Sequence, residues 1–320
     1  MNVAAPLLTA PPTLAPRFLE PAGLRWGRFT AADGVTLRWA HLAAAKATAN
    51  CVLLGGFTEF IEKYFETLRD LSDRGLAVWC LDWRDQGGSE RSKRTIPRDF
   101  DRDAADLTAF IEAHVPKQRR LVVAHSMGAA IALLALHENP KLADAAVLSA
   151  PMIEPTSGGL PRVLARVIPR LAVALGLGGH FIPAGPASGP WRYDDRLSGE
   201  NSIVSHDAER CLVHRDWFEN QARLRVDGPT FAWAKSAFAL SSRLLAPCFL
   251  AAISTPILIG SAGKEFLVRP ESHQVAAARL PHCKLVEFPT AKHELFHETD
   301  HIRNRWLGEI DAFIAARFTP

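Results

Sequence analysis

Residues 124–128, which read Ala-His-Ser-Met-Gly between two apolar runs, are the first candidates for chemistry. This order predicts a buried strand, a sharp turn that carries Ser126, and a buried helix. It is typical of a nucleophile elbow, whose usual pattern is Gly-x-Ser-x-Gly. The positions two before and two after the serine must be small, and Ala124 and Gly128 meet that need. Ser126 is therefore the candidate nucleophile, and the alternative is a buried serine in an ordinary strand–helix turn.

A serine hydroxyl is a weak nucleophile unless a base removes its proton. Histidine suits this role near neutral pH, and a buried carboxylate fixes its tautomer. In sheets with such an elbow, the acid follows a late strand and the histidine follows the last strand. The predicted strand at 256–260 leads to Glu265, and the predicted strand at 283–288 leads to His293. We therefore predict Glu265 as the acid and His293 as the base.

Each of these two assignments has an alternative. His293 could be an ordinary histidine in a surface loop, and Glu271 and Asp300 are close enough in sequence to compete with Glu265. His125 is next to the serine, but on an elbow its side chain is expected to point away. Three further histidines fit the base role less well: His137, His206 and His214.

Acyl transfer also needs N–H donors for the negative oxygen that develops on the carbonyl. One predicted donor is the backbone N–H of Met127, directly after the serine. The second donor usually comes from the loop after an early strand. That loop is Gly55-Gly56-Phe57, and we predict the Phe57 N–H as the donor. The alternative is a tight strand–helix turn with no donor role.

The elements that position these residues alternate regularly. Residues 24–31 and 35–42 alternate apolar and polar around Ala32-Asp33-Gly34, which predicts an antiparallel hairpin. Continuous apolar strands and helical stretches then follow, which favours a mostly parallel sheet flanked by helices. The further strands are predicted at 51–54, 77–81, 121–124 and 145–148, and the helices at 62–74, 99–114, 270–280 and 300–317.

The alternation of strands and helices breaks between residues 152 and 252. We interpret this segment as an inserted helical cap or lid. An insertion at the carboxyl end of a strand lies over the crevice where such sheets bind ligands. The α/β core would then comprise residues 21–151 and 253–320. Residues 1–20 have no basic residue before Arg17, unlike a secretory signal, and are predicted to be a flexible arm.

Composition excludes several functional classes. The 320 residues are 48% hydrophobic and 22% charged, which is ordinary for a soluble globular protein. A formal net charge of +3 is too small to indicate nucleic-acid binding, and no apolar run is long enough for a transmembrane helix. Five cysteines without close pairing suit reduced thiols, as in the cytoplasm. No cofactor is expected.

With these residues identified, the chain resembles the α/β-hydrolase superfamily, and within it the monoacylglycerol lipases and bacterial lysophospholipases. The resemblance implies a catalytic triad of Ser126, Glu265 and His293 that cleaves carboxylic esters of lysophospholipids or monoacylglycerols. A small-molecule carboxylesterase is the alternative. The matching segments are residues 56–64, 82–91, 124–128 and 293–295.

Four positions depart from the pattern of that group, and none of them removes a catalytic group. Glu265 stands where aspartate is usual, and Ala124 replaces a glycine of the elbow. Gly55 stands where many relatives have histidine. Asp85 replaces a glycine, although aspartate tolerates positive φ better than most residues. The turn at 82–89, which contains Asp85, lacks the Gly-Lys-Ser/Thr of a phosphate loop, and we expect it to brace the elbow with Asp82 and Arg84 in structural roles.

The sequence also offers two hypotheses of a different class. Residues 293–297 fit His-Glu-x-x-His, a zinc-peptidase motif that works only on a helix, where positions i and i+4 share a face. Pro289 and Thr290 place His293 at or before a helix start, and nothing singles out a third ligand from Glu298 and Glu309, so no metal is expected. A non-enzymatic binding protein on the same fold would lack the serine, the histidine or the oxyanion loop, and all three are present.

The predicted cap contains a segment with helical spacing of apolar residues: Leu160, Val163, Leu164, Val167, Ile168, Leu171 and Leu175. Arg162, Arg166 and Arg170 recur on another face. The simpler interpretation is a helix with its apolar face on the core and a solvated basic face. The alternative is an interfacial helix that makes peripheral contact with a membrane of anionic lipids. Three tryptophans of the cap either pack in the core or line an acyl pocket: Trp191, Trp217 and Trp233.

Overall fold

The computed structural model describes residues 9–91, 97–183 and 202–318, and eight strands of these residues form one sheet. The strands are β1 (Arg25–Thr30), β2 (Thr36–Leu42), β3 (Ala49–Leu54), β4 (Leu76–Leu81), β5 (Arg120–His125), β6 (Ala145–Ser149), β7 (Ile257–Ala262) and β8 (Cys283–Phe288). They lie in the order β1-β2-β4-β3-β5-β6-β7-β8. Only the pairings β1–β2 and β2–β4 are antiparallel. The predicted hairpin and mostly parallel sheet are confirmed.

Helices flank this sheet, as predicted. They are α1 (Phe65–Asp73), α2 (Phe100–His114), α3 (Ser126–Glu138), α4 (Arg162–Ala174), α5 (Ala208–Asn220), α6 (Phe231–Leu244), α7 (Pro270–Arg279) and α8 (Asp300–Phe318). Short 3-10 helices precede α1 at Ile61–Tyr64 and α8 at Leu295–His297. Among the described residues, none of the helices is long and apolar enough to cross a membrane.

The sheet is buried on both faces, which explains its continuous apolar strands. In β3, Val52 and Leu54 belong to one hydrophobic cluster, while Cys51 and Leu53 belong to the cluster on the opposite face. Successive side chains of a strand point to opposite faces, so a strand covered on both sides must be apolar at every position. Each fully buried large apolar side chain contributes about 1.5–3 kcal/mol to folding. The parallel part of the sheet therefore holds the strand ends in fixed positions.

The segment between β6 and β7 packs on both sides of the core. Trp217 of α5 is buried in the cluster that contains Phe65, and Leu240 of α6 is buried in the cluster that contains α3. Of the two predicted alternatives, Trp217 therefore packs in the hydrophobic core. Trp191 lies outside the described residues. The division into a core and a cap at residues 152–252 stays a prediction.

Helix α4 packs in an unexpected orientation. Its inward side consists of Ala165, Pro169 and Ala172, whereas its large apolar side chains face outward, with Val163 71% and Leu171 58% exposed. The interpretation that this apolar face covers the core is therefore wrong. The small residues allow α4 to lie close to α6. They leave an exposed apolar surface on the other side of the helix.

The described part of the N-terminal segment is packed against the rest of the chain. Phe18 is buried, Arg17 is paired with Glu209 at 2.5 Å, and the Thr13 hydroxyl donates to Asp216 at 2.6 Å. Residues 9–20 therefore differ from the flexible arm that composition predicts. Residues 1–8 lie outside the described range.

Helix α3 lies so close to β3 that only glycine fits at position 128. A Cβ on Gly128 would collide with the carbonyl oxygen of Gly55 and lie 3.1 Å from that of Leu54. We expect Gly128→Ala to lower the free energy of unfolding by about 1–3 kcal/mol, because helix and strand must separate. Urea denaturation measures this change.

The matched control for this substitution is Gly308→Ala in α8, where a Cβ meets nothing within 4 Å. Alanine is the better helix former by about 0.5–1 kcal/mol, so this variant should be slightly more stable than the parent. Equal stability of Gly128→Ala and the parent protein would contradict the close packing.

Candidate active site

The elbow is formed where β5 ends at His125 and α3 begins at Ser126. Ser126 has a φ of +49°, a left-handed conformation that costs a residue with a side chain about 1–2 kcal/mol. Ala124 pairs with Leu54 of β3 and Leu148 of β6 in the middle of the sheet. The tight turn therefore persists although alanine replaces the usual glycine. Strained turns of this kind cluster at functional sites because they fix the direction of a side chain.

Glu265 and His293 lie side by side at the same edge of the sheet. The His293 Nδ1 is 2.6 Å from Glu265 Oε2, and both side chains are buried. The β7–β8 pairing continues past the strands, because the Gly263 N–H donates to Phe288 and the Lys264 N–H donates to Ala291. The two loops are thus hydrogen-bonded to each other, and the predicted pair is brought together.

Glu265 fits the place of an aspartate because its chain curls back onto its own loop. Its Oε1 accepts the N–H groups of Phe266 at 2.9 Å and Leu267 at 2.8 Å, which leaves Oε2 for His293. The two rival acids are engaged elsewhere. Asp300 is paired with Arg210 at 2.7 Å, and Glu271 is 3.6 Å from Arg269.

The electrostatics of the pair favour its charged form. Burial opposes protonation of His293, but the carboxylate of Glu265 outweighs it and raises the pKa of the imidazole. Burial likewise acts to raise the pKa of Glu265, but His293 and the backbone N–H groups outweigh it and lower that pKa. With Nδ1–H donating to Glu265, the Nε2 of His293 is the nitrogen left to accept a proton.

The sequence predicted that the side chain of His125 points away from the site. In the structure it lies against His293 instead. The two rings are 4.6 Å apart in an edge-to-face arrangement, and His125 Nδ1 is 3.1 Å from the carbonyl oxygen of Ser149. Burial lowers the pKa of His125 to about 3, so it is a neutral neighbour. Within the described residues, His293 hydrogen-bonds to Glu265 and not to Ser126. Such nucleophile–base bonds often tighten only in the substrate complex.

The loop after β3 presents one free N–H beside the elbow. The Gly56 N–H donates to the carboxylate of Glu59, and the Thr58 N–H donates to Gln86 Oε1 at 3.1 Å. The N–H of Phe57, between them, has no acceptor among the residues that the structure describes. A Cβ on Gly56 would lie 3.1 Å from the Cβ of Ser126, so the loop touches the elbow. Met127 is in the first turn of α3, where N–H groups lack helical acceptors.

The turn at residues 82–89 braces this loop, whereas the sequence suggested that it braces the elbow. Trp83 Nε1 donates to the Gly55 carbonyl at 2.8 Å, and Gln86 Nε2 donates to that of Gly56 at 2.8 Å. Asp85 adopts the positive φ of +66° expected at this position. Sequence reasoning missed Trp83 and Gln86 because nothing in the turn indicates which loop they reach.

Asp82 and Arg84 make the kind of structural contacts that were predicted for them. Asp82 is paired with Arg38 at 2.5 Å and accepts the Ile61 N–H at 3.0 Å. Arg84 is paired with Asp33 at 2.7 Å. These ion pairs anchor the turn to β2 and to the β1–β2 hairpin.

The His-Glu-x-x-His segment does not form a zinc-peptidase helix. His293 precedes a single 3-10 turn and is bonded to Glu265, while His297 Nε2 is 3.2 Å from the Lys63 carbonyl oxygen. Glu59, Glu294 and His297 do bring ligand atoms within 4.8 Å of one another. However, the Nζ of Lys63 is 2.7 Å from both carboxylates. An ammonium group thus holds the position that a cation would need.

Comparisons with known proteins find similarity over most of the chain. The sequence profile described as serine aminopeptidase, S33 matches residues 45–300. Lysophospholipase L2 of Escherichia coli (strain K12) is 27% identical over 314 residues, which cover 91% of this chain and 88% of that protein. A monoacylglycerol lipase of Mycolicibacterium smegmatis (strain ATCC 700084 / mc(2)155) is 26% identical over 257 residues, which cover 78% and 82%.

The fold is also that of a solved lipase structure. A soluble variant of monoglyceride lipase from Saccharomyces cerevisiae, in complex with a substrate analog, superposes with a TM-score of 0.69. The superposition covers 92% of this chain and 96% of that one at 18% sequence identity. At this identity the likeness establishes a shared fold.

The raised pKa of His293 should depend on the charge of Glu265. We expect Glu265→Gln to lower the pKa of His293, because the carboxylate that most strongly opposes the effect of burial is lost, so less imidazolium is present at any given pH. The remaining neighbours are the neutral His125 and the carboxylates of Glu294 and Glu59. NMR titration of labelled histidine measures the shift. Glu271→Gln, which removes an exposed rival acid, should leave the pKa unchanged, and an equal shift in both variants would refute the pairing.

Proposed function

The chain belongs to the serine aminopeptidase, S33 family of α/β-hydrolases, and from this premise we propose that it hydrolyses carboxylic esters through an acyl-enzyme. The observation that carries the proposal is the buried His293–Glu265 hydrogen bond at the sheet edge that also holds the strained Ser126. The substrate class that we propose is a lysophospholipid or monoacylglycerol. The names of the relatives from Escherichia coli and Mycolicibacterium smegmatis support it.

In the proposed mechanism, the Ser126 hydroxyl attacks the ester carbonyl while His293 Nε2 accepts its proton. Glu265 keeps the Nδ1 proton in place and stabilises the imidazolium that forms. His293 then gives the proton to the leaving alcohol, which completes the acyl-enzyme. A water molecule repeats the sequence and releases the fatty acid.

The negative oxygen of each tetrahedral intermediate would be held by the N–H groups of Phe57 and Met127. The two residues that flank Phe57 support this assignment, because side-chain oxygens accept the N–H groups of both Gly56 and Thr58. A loop that uses its flanking donors and leaves the middle one free differs from an ordinary tight turn. One donor of this kind is worth about 10²–10³ in kcat.

We further propose that residues 152–252 form a cap over this site, on a core of residues 21–151 and 253–320. Trp233 of α6 packs on Phe57, with ring centroids 4.5 Å apart, so the segment reaches the oxyanion loop. An aromatic surface at this point suits an acyl chain that leaves the reacting carbonyl. Trp233 is therefore the proposed pocket residue of the cap.

The outward face of α4 is proposed to contact the lipid surface from which such substrates come. Large apolar side chains that are exposed on one helix mark a membrane or partner site. Arg162 and Arg166 share Glu154, at 3.1 and 3.5 Å, while Arg170 has no ion pair among the described residues. Apolar side chains flanked by arginines fit the interface of an anionic bilayer, where the protein would be peripheral.

The proposed chemistry is tested with p-nitrophenyl esters of increasing chain length, beside lysophosphatidylcholine and monoolein. We expect turnover that rises with chain length, and a loss of at least about a thousandfold in Ser126→Ala. Turnover confined to short esters would favour a small-molecule carboxylesterase. Activity retained in Ser126→Ala would overturn the nucleophile.

Inhibitors separate this proposal from the zinc hypothesis. A serine-reactive phosphonate should label Ser126 and abolish turnover, while a chelator should leave turnover unchanged because no step uses a metal. The reverse pattern would favour a metallopeptidase. Mass spectrometry of the labelled protein identifies the modified residue.

The lipid contact is tested by cosedimentation with vesicles of phosphatidylcholine, with and without phosphatidylglycerol. Replacing Val163 and Leu171 by glutamate should reduce binding to both vesicles at least about tenfold, because two apolar side chains are lost. Arg170→Glu should remove only the preference for the anionic lipid. Val275→Glu, an exposed position on α7, is the matched control. Unchanged binding in the Val163/Leu171 variant would exclude α4 as the contact.

A further inference from the structure

A buried ammonium group joins the two loops of the site from behind. The Nζ of Lys63 is 2.7 Å from Glu59 Oε1 and 2.7 Å from Glu294 Oε1. Glu59 belongs to the loop that carries Phe57, and Glu294 directly follows His293. All three side chains are buried. Lys63 thus connects segments that are 231 residues apart in sequence.

Glu59 uses its second oxygen to fix the Gly55–Gly56 peptide, which is directly before the peptide that carries the Phe57 N–H. Oε2 accepts the Gly56 N–H and the Tyr64 hydroxyl, the latter at 2.5 Å. A Cβ on Gly55 would lie 3.3 Å from this oxygen and 3.3 Å from the Tyr64 ring. Glu59 and Tyr64 therefore occupy the space beside Gly55 in this chain. The Glu59 carboxylate thus restrains the start of the loop, while Gln86 Nε2 holds the carbonyl of the peptide that carries the Phe57 N–H, at 2.8 Å.

The charge balance favours ionisation of Glu59 over ionisation of Glu294. Two carboxylates share one ammonium, so both cannot be fully compensated. Burial acts to raise the pKa of Glu59, but Lys63 outweighs it and holds that pKa well below the ordinary value. Burial raises the pKa of Glu294. The Gly56 N–H thus donates to an ionised acceptor, and such hydrogen bonds are roughly twice as strong as neutral ones.

We infer that Glu59, Lys63 and Glu294 are positioning residues that set the distance between the oxyanion donor at Phe57 and the base at His293. None of the three touches the reacting atoms. The inference rests on the proposed function, since it assigns these residues to the formation of its tetrahedral intermediate. Lys63 transmits the position of one loop to the other through two ion pairs. A displacement of about 1 Å at a reacting group can cost about 10²-fold in rate.

The test uses Lys63→Met in the full-length protein, with p-nitrophenyl butyrate as substrate. We expect kcat to fall about 10–100-fold while KM changes less than about threefold, because donor and base are misplaced only for the transition state. An alkyl trifluoromethyl ketone, whose adduct with the serine carries an oxyanion, should lose affinity by the same factor as kcat/KM. A substitution that acts only on folding would change neither the kcat of the folded molecules nor their affinity for the ketone.

Arg120→Met is the control. Arg120 is also a buried cation, and its guanidinium donates to the carbonyl oxygens of Pro116, Ile111 and Val115, but it is the first residue of β5, at the opposite end of that strand from Ser126. It should lower the urea midpoint and leave kcat and ketone affinity unchanged. If Lys63→Met lowers only the midpoint, as this control does, the inference is overturned.

Milder variants keep the test decisive if Lys63→Met does not fold. Glu59→Gln keeps an acceptor for the Gly56 N–H and should lose less kcat than Glu59→Ala. The double variant Glu59→Gln/Glu294→Gln should lose a factor in kcat that differs from the product of the two single losses, because both residues act through Lys63. Additive losses, or equal losses in Glu59→Gln and Glu59→Ala, would overturn the inference. Ser126→Ala distinguishes the two failures, since activity there refutes the proposed function itself.

Discussion

Parallel pairing of β4, β3, β5, β6, β7 and β8 is the constraint on which the site depends, because it brings the carboxyl ends of six strands to one edge. Ser126, Glu265, His293 and the Gly55–Phe57 loop all follow such ends. A slip of one residue in any of these strands would turn its side chains to the other face. Since both faces are buried, such a slip is costly, and the rigid sheet fixes loops that would otherwise move.

Buried charges then hold the loops in detail. Arg38 is paired with Glu62 and Asp82 at 2.5 Å, and Asp82 in turn accepts a backbone N–H at the start of the Ile61–Tyr64 helix. A carboxylate or guanidinium in such a place is costly without a partner, so each group restrains the next. The loop after β3 is therefore fixed by side chains from three segments. This is the rigidity that oriented N–H donors require.

Features set by local order were predictable from the sequence, and those set by long-range side-chain direction were not. The strand–helix alternation predicted the sheet and placed Ser126, Glu265 and His293 at strand ends. It did not predict the contact of Lys63 with Glu294, because no periodicity joins positions so far apart. The apolar spacing of α4 predicted a helix with two faces. It did not reveal that the small residues Ala165 and Ala172 face inward, since burial of small residues leaves only a weak pattern.

The helices between β6 and β7 are unequally bound to the rest of the chain. Displacing α5 would expose Trp217 and remove Arg210 from the largely buried carboxylate of Glu66, which is costly. Displacing α4 would expose little beyond small side chains, because its large apolar residues already face outward. Its arginines pair with Glu154 at 3.1 and 3.5 Å, but this carboxylate would keep Arg269, at 3.6 Å, as a partner. Any opening of this segment toward Ser126 therefore costs least on the α4 side, which is the side whose exposed apolar surface we propose as the lipid contact.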